Sequence, residues 1–232
     1  MPSISIQALD GSGSFAALVV EPRGKPAGVV VVIQEIFGVN QAMRDVAAWV
    51  ADLGFIAVVP DLFWRIEPGI DITDKSEAEW KRAFELFQAF DQAKGIDDLK
   101  ATVTASRALP GANGKVATMG YCLGGRLAFM MAEQSDADAN ISYYGVGLDG
   151  LLGDLDKVTK PLIVHIADQD AFFPPEGRAA VVAATEGHAH VVSYVYPNAD
   201  HAFARVNGTH WDGRSAIIAN GRSAEALVAA LA

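Results

Sequence analysis

The chain has 232 residues, 51% hydrophobic and 20% charged, with a single cysteine and a formal charge of −10 from 18 basic and 28 acidic side chains. This length predicts one globular domain over residues 1–232 that buries roughly 70–75% of the surface its unfolded chain exposes. A lone cysteine excludes an internal disulfide, the lack of Cys/His clusters argues against a structural metal, and the acidic balance disfavours nucleic acid as a partner.

Short β-branched runs alternate with helical periodicity along nearly the whole chain. Two early strands are predicted over 3–9 and 15–21, joined by the turn-rich Asp10-Gly11-Ser12-Gly13. After a loop over 22–28, residues 29–33 are apolar at every position, the pattern of a strand covered on both faces. Met43, Val46, Val50 and Leu53 recur at helical spacing behind the candidate N-cap Asn40, and Gly54 closes that helix. A buried strand over 55–59 ends at Pro60, while residues 62–74 have no clean period and read as an excursion from the sheet. Trp80, Phe84, Phe87 and Asp91 fall on one helix face, with Ala83 and Phe90 beside them. A second helix over 96–108 ends at Pro110-Gly111, and a strand over 115–121 runs into Cys122, after which Leu127, Met130 and Met131 mark another helix. Strands over 141–144 and 162–167 flank a Gly- and Asp-rich connection; a helix over 175–185, a strand over 191–196 and a helix over 215–231 complete the chain. This alternation predicts an α/β fold, a mostly parallel sheet of about seven to eight strands with helices on both faces and right-handed crossovers.

Ligands of such sheets bind at the carboxyl ends of the strands, and three of those positions carry reactive side chains. In Gly120-Tyr121-Cys122-Leu123-Gly124-Gly125 a strand runs into Gly-x-Cys-x-Gly and then a helix. That is the spacing of a strained turn that presents a nucleophile, with small neighbours letting the chain pass close. The helix start supplies free N–H groups and a positive dipole end, which favour thiolate over thiol. The plain alternative is a buried, inert cysteine. Past the strand over 162–167 stand Asp168 and Asp170, and past the strand over 191–196 stands His201. Nucleophile, acid, histidine is the chain order of the α/β-hydrolase fold, with imidazole as base and carboxylate fixing its tautomer. Asp170 lies farther into its loop than Asp168 and is the preferred acid. His201 is preferred to His188, His190 and His210, which lie in polar stretches; His165 reads as a strand histidine with a satisfied ring. Glu35 follows a fully apolar strand, so it must be paired, hydrogen-bonded or neutral. Arg205 and the Cys122 thiol are its candidate partners, against the simpler reading of a loop cap. The N–H groups of Ile36 and Leu123 are placed to form an oxyanion hole.

Gln34-Glu35-Ile36-Phe37-Gly38-Val39-Asn40, Pro60-Asp61-Leu62, Gln88-Ala89-Phe90-Asp91, Gly120-Tyr121-Cys122-Leu123-Gly124-Gly125, Tyr143-Tyr144-Gly145-Val146-Gly147, Gln169-Asp170 and His201-Ala202-Phe203-Ala204-Arg205 together carry a likeness to a family. From about Ile4 to the C-terminal helix the sequence resembles dienelactone hydrolase (carboxymethylenebutenolidase). The resemblance implies a Cys122, His201, Asp170 triad, with Glu35 holding the thiol and then activating it when substrate arrives. It also implies an α/β-hydrolase fold without a large cap domain, and a substrate carboxylate held by two arginines. One of these falls on Arg205. The other falls on Trp80, where the sequence departs from the family; Lys81 and Arg82 are turned about 100° and 200° round the helix. Trp80, Phe84 and Phe87 thus have two readings, a core-facing stripe or, with Phe37 and Tyr144, the walls of a pocket for a flatter or less charged substrate.

The expectation is a cysteine hydrolase of a lactone or small carboxylic ester, acting through a thioacyl intermediate without cofactor or metal. Its partner is that small-molecule substrate, not nucleic acid or a membrane, and the chain is expected to be a monomer. With no basic-then-apolar N-terminal segment and only short apolar runs, a cytoplasmic location is expected. A non-catalytic binder of small molecules on the same fold is the rival reading. A hydrolase whose metal is ligated by Cys122, Asp170 and His201 is a more distant one.

Overall fold

The predicted alternation appears in a computed structural model that describes residues 2–25 and 28–232; Pro26 and Ala27 of the predicted 22–28 loop lie outside the described residues, as does Met1. The strands are β1 (Ser3–Gln7), β2 (Ser14–Val20), β3 (Val29–Ile33), β4 (Ile56–Pro60), β5 (Val116–Tyr121), β6 (Ala139–Tyr143), β7 (Leu162–Ala167) and β8 (Val191–Tyr196). They form one sheet in the order β1-β2-β4-β3-β5-β6-β7-β8. The pairs β1–β2 and β2–β4 are antiparallel, and from β4 to β8 every pair is parallel. Every residue of β3, β4, β5 and β6 is buried, as strands covered on both faces require.

The covering helices are α1 (Gln41–Asp52), α2 (Glu77–Ala89), α3 (Gln92–Arg107), α4 (Leu123–Gln134), α5 (Pro175–Thr185) and α6 (Gly213–Leu231). Side chains alternate across β3, so Val29, Val31 and Ile33 pack with Leu99 of α3 and Leu127 of α4. Val30 and Val32 pack on the opposite face with Val50 of α1 and Leu227 of α6. Asn40 caps α1 as its position predicts, accepting the Met43 N–H at 3.2 Å.

Four local features differ from the sequence expectation. Asp91, which the spacing places on the aromatic face of α2, instead caps α3, accepting the Lys94 N–H at 3.2 Å, because Phe90 turns extended and ends α2. The start of α3 is hidden in the sequence by Gly95, whose missing side chain makes room for the Phe90 ring and interrupts the apolar period. Pro60 does not follow β4 but is its last residue, opposite Ala17 of β2, at a strand end where a missing N–H is tolerated. The Gly- and Asp-rich connection after β6 is a 3-10 helix, Leu148–Lys157.

His165 has the satisfied ring expected of it: one nitrogen bonds the Tyr196 hydroxyl at 2.8 Å and the other the Ser223 hydroxyl at 3.0 Å. Burial pushes its pKa down to about 3, and the Arg222 charge acts in the same direction. The unfolded chain therefore binds this proton near the ordinary histidine value while the folded chain does not. Stability is expected to fall as pH drops from about 6.5 towards 3, by up to about 1.4 kcal/mol per pH unit from this group. Urea unfolding across that range checks it, and His165→Gln should flatten the slope.

Candidate active site

Three strand ends, those of β3, β5 and β7, together with the loop after β8, bring the candidate residues to one place. At the end of β5 the chain turns sharply at Cys122, with φ 55° and ψ −114°, a left-handed conformation that costs a non-glycine residue about 1–3 kcal/mol. Two backbone bonds hold it: the Cys122 N–H donates to the Tyr143 carbonyl at 3.0 Å, and its carbonyl accepts from Arg126 N–H at 3.1 Å. The surrounding glycines are there for space. A methyl group on Gly120 would collide with the Gly124 carbonyl, one on Gly124 with the Ile33 and Gln34 carbonyls, and one on Gly125 with the Tyr143 carbonyl. The turn thus sets Cys122, 8% exposed, at a cavity of about 180 Å³ shared with Ile36, His201 and Arg205.

Asp170 and His201 meet as the chain order predicts. Nδ1 of His201 lies 2.8 Å from Oδ2 of Asp170, whose other oxygen accepts the Phe172 N–H at 2.8 Å. Both residues are buried, whereas Asp168 is partly exposed and, among the described residues, accepts only the Gln169 side-chain amide at 2.8 Å. A carboxylate on Nδ1 fixes the proton there and leaves Nε2 as the working nitrogen. Burial works against the charged imidazole, but the Cys122 sulfur and the Asp170 carboxylate outweigh it and hold the His201 pKa up at about 10. His188 and His190 lie outside the cavity wall, next to one another before β8, and His210 pairs with Asp200.

Of its two candidate partners, Glu35 takes Arg205. Arg205 Nε donates to Oε2 at 2.7 Å and Nη2 to Oε1 at 3.0 Å, a two-pronged pair buried at both ends. Among the described residues neither Glu35 oxygen is bonded to the Cys122 thiol. The third guanidinium nitrogen donates to Asp74 Oδ2 at 2.7 Å. Burial lowers the Arg205 pKa, but Glu35, followed by Tyr144 and Asp74, more than reverses this and holds it above the ordinary arginine value. The group as a whole carries two carboxylates on one cation.

Asp74 escaped the sequence reading because it closes a stretch without periodicity. Its signal lay next door: the indole N–H of Trp80 donates to the Asp74 carbonyl at 3.0 Å, and Glu79 accepts from Thr73 N–H at 2.8 Å, so α2 anchors the segment. Trp80, Phe84 and Phe87 line the cavity, and Trp80 and Phe87 also pack against the core that Ala83 and Leu86 of α2 enter, so both readings of the stripe hold in part. Trp80 stands edge-on to Phe37 at 5.0 Å and stacks on Phe84 at 5.6 Å. Phe37 is on the wall as predicted, while Tyr144 is not. A positive φ of 37° turns Tyr144 behind the imidazole, edge-on to His201 at 5.2 Å and to Phe203 at 5.4 Å. Val146 and Phe172 complete the apolar wall and were missed, being single apolar residues in loops. The N–H groups of Ile36 and Leu123 donate to no other group among the described residues, as an oxyanion hole requires. Among the described residues no three His, Cys, Asp or Glu side chains converge as a metal-binding set, and no helix is long and apolar enough to cross a membrane.

A largely parallel sheet with a reactive residue in a strand-turn-helix elbow, then an acid and a histidine past later strands, defines an α/β-hydrolase. The model of the dienelactone hydrolase family matches residues 15–230. A protein of Azospirillum brasilense, provisionally named carboxymethylenebutenolidase, is 52% identical over 225 residues, covering 97% of this chain and 96% of its own. The carboxymethylenebutenolidase of Pseudomonas putida is 40% identical over 224 residues, covering 97% of this chain and 94% of its own. A crystal structure from Klebsiella pneumoniae, described provisionally as a dienelactone hydrolase, shares the fold with a TM-score of 0.85 at 23% identity, covering 98% of this chain and 97% of that one. This chain belongs to the dienelactone hydrolase family, and it is a hydrolase of the dienelactone or ester type.

Proposed function

We propose that the protein hydrolyses small uncharged carboxylic esters or lactones through a thioacyl intermediate on Cys122. The observation that carries this reading is a cysteine in a sterically enforced elbow, on the same apolar cavity as an imidazole oriented by Asp170. In the first half-reaction the sulfur adds to the carbonyl carbon, and the carbonyl oxygen takes the electron pair against the Ile36 and Leu123 N–H groups. One donor in such a hole is worth about 3–4 kcal/mol. The C–O bond then breaks, its electron pair leaves with the alcohol oxygen, and that oxygen takes the proton His201 holds after the thiol ionises. In the second half-reaction His201 takes a proton from water as the water oxygen adds to the thioester. The C–S bond then breaks, releasing acid and restoring sulfur.

The restriction to uncharged substrates rests on Arg205 and Trp80. Arg205 is committed to Glu35 and Asp74, and freeing it for a substrate carboxylate would expose a buried charge to an unpaired state. The resemblance to the family places its second carboxylate-binding arginine at Trp80, whose ring instead adds apolar wall. Glu35 acts here as a positioning residue that fixes Arg205 beside the cavity.

A substrate panel tests both parts. Short aryl esters and neutral lactones are expected to exceed a carboxylated dienelactone in kcat/KM by about tenfold or more, and acid quenching should trap the acyl mass on the peptide containing Cys122. Preference for the carboxylated lactone would overturn the restriction on charge. Turnover with no acyl group on Cys122 would overturn the nucleophile.

A further inference from the structure

The cavity at Cys122 does not end at the imidazole. A second cavity of about 200 Å³ lies beyond it. Trp80, Phe172, His201 and Arg205 border both spaces; Cys122 and Ile36 border only the first, and Asp200 and His210 only the second. His201 thus borders both spaces, while the sulfur borders only the first. The inference here rests on the thioacyl reading above. When the C–O bond breaks, the departing oxygen must lie against Nε2 of His201, because that nitrogen supplies its proton. The acyl half remains on sulfur in the first cavity. The alcohol half lies on the imidazole side, and the space on that side is the second cavity.

The two spaces differ in charge. His210 Nδ1 and Asp200 Oδ2 pair at 2.8 Å on the half-exposed rim of the second, and Asp200 Oδ1 also accepts the His201 backbone N–H at 2.6 Å. Arg205, the permanent cation among its lining residues, is already balanced by Glu35 and Asp74, whose summed charge exceeds its own. The protonated His201 is offset by Asp170 and the Cys122 sulfur, and Asp200 leaves the local balance negative. Phe172, 50% exposed, stacks on Trp80 and meets the His201 ring edge-on at 4.9 Å, giving the shared rim a flat apolar face. From this arrangement we infer that the second cavity is the alcohol-side subsite of the enzyme. Asp200 makes it accept neutral or cationic aromatic and aliphatic alcohols and disfavour anionic ones. In a lactone the same oxygen stays tethered to the acyl half, and the opened arm turns into this space.

Two matched series of aryl esters separate the halves. One carries a trimethylammonium group, no charge or a sulfonate on the phenol; the other carries the same three on the acyl half; each rate is divided by its rate with hydroxide. The native protein is expected to favour the cationic over the anionic phenol by about tenfold in kcat/KM at low salt, less at about 0.5 M salt. Asp200→Asn should compress this ratio about threefold or more, and His210→Ala, which removes the imidazole from Asp200 Oδ2, should widen it. Neither should move the acyl-side ratio comparably. Because each ratio is taken within one variant and the two variants act in opposite directions, reduced folding or reduced overall rate does not imitate the result. An alcohol-side ratio that Asp200→Asn leaves unchanged, or a change confined to the acyl side, overturns the assignment while acylation of Cys122 by the neutral ester still stands. A native protein that is never acylated by the neutral ester overturns the thioacyl reading and this subsite with it.

Discussion

Cys122→Ala is expected to reduce kcat/KM for an activated aryl ester by about a thousandfold or more, with an unfolding midpoint close to that of the native chain. The small effect on stability follows from the way the turn is held. Its conformation is enforced by glycine contacts and by backbone bonds to Tyr143 and from Arg126, none of which involves the sulfur. Cys122→Ser should fall between the two, since a hydroxyl at the same point ionises far less readily beside the same imidazole. Adding His201→Ala to Cys122→Ala should cost almost nothing further, because groups that act as one unit do not contribute additively. Stopped-flow or steady-state hydrolysis with circular dichroism on each variant checks the set. Native-like turnover in Cys122→Ala would move the nucleophile to another residue.

Arg205→Met carries the largest expected effect on stability, a loss of about 3–5 kcal/mol at neutral pH. Methionine keeps much of the apolar stem, so the loss measures the charge. It leaves Glu35, 1% exposed, and Asp74, 5% exposed, as two facing carboxylates without their cation. Such groups relieve the cost by taking up protons, which raises their folded-state pKa above the unfolded value. The variant is therefore expected to lose least at acid pH and progressively more as pH rises through and above the ordinary carboxylate range. Urea unfolding at pH 5 and pH 8 checks the sign, and Glu35→Gln in the same chain should recover part of the loss. A deficit equal at both pH values would mean that Arg205 contributes packing rather than charge balance.

Much of this frame was legible in the sequence, and for a common reason. β3, β7, β8 and α5 have the predicted limits because each is an uninterrupted run with a turn or proline at its edge. Cys122, Asp170 and His201 were legible as candidates because each stands past a strand end, where this class of sheet binds its ligands, and the structure brings Asp170 and His201 into contact. The pair between Glu35 and Arg205 spans 170 positions, so the sequence could show that Glu35 needed a partner but left two candidates. Asp74, Val146 and Phe172 belong to connections whose path is set by tertiary contacts, and no periodicity marks them. The cavity-facing role of Trp80, Phe84 and Phe87 was undecidable for a different reason: a helical stripe of aromatics looks the same whether it covers a core or an opening.

The three glycines about the elbow also bear on how freely its chemistry can be changed. They are intolerant of any added carbon, whereas the atom they display belongs to a single side chain on which none of those close glycine contacts depends. Oxygen, sulfur or selenium could in turn be mounted at position 122 and aimed along one trajectory, which makes the scaffold a fair comparator of nucleophile reactivity with geometry held constant.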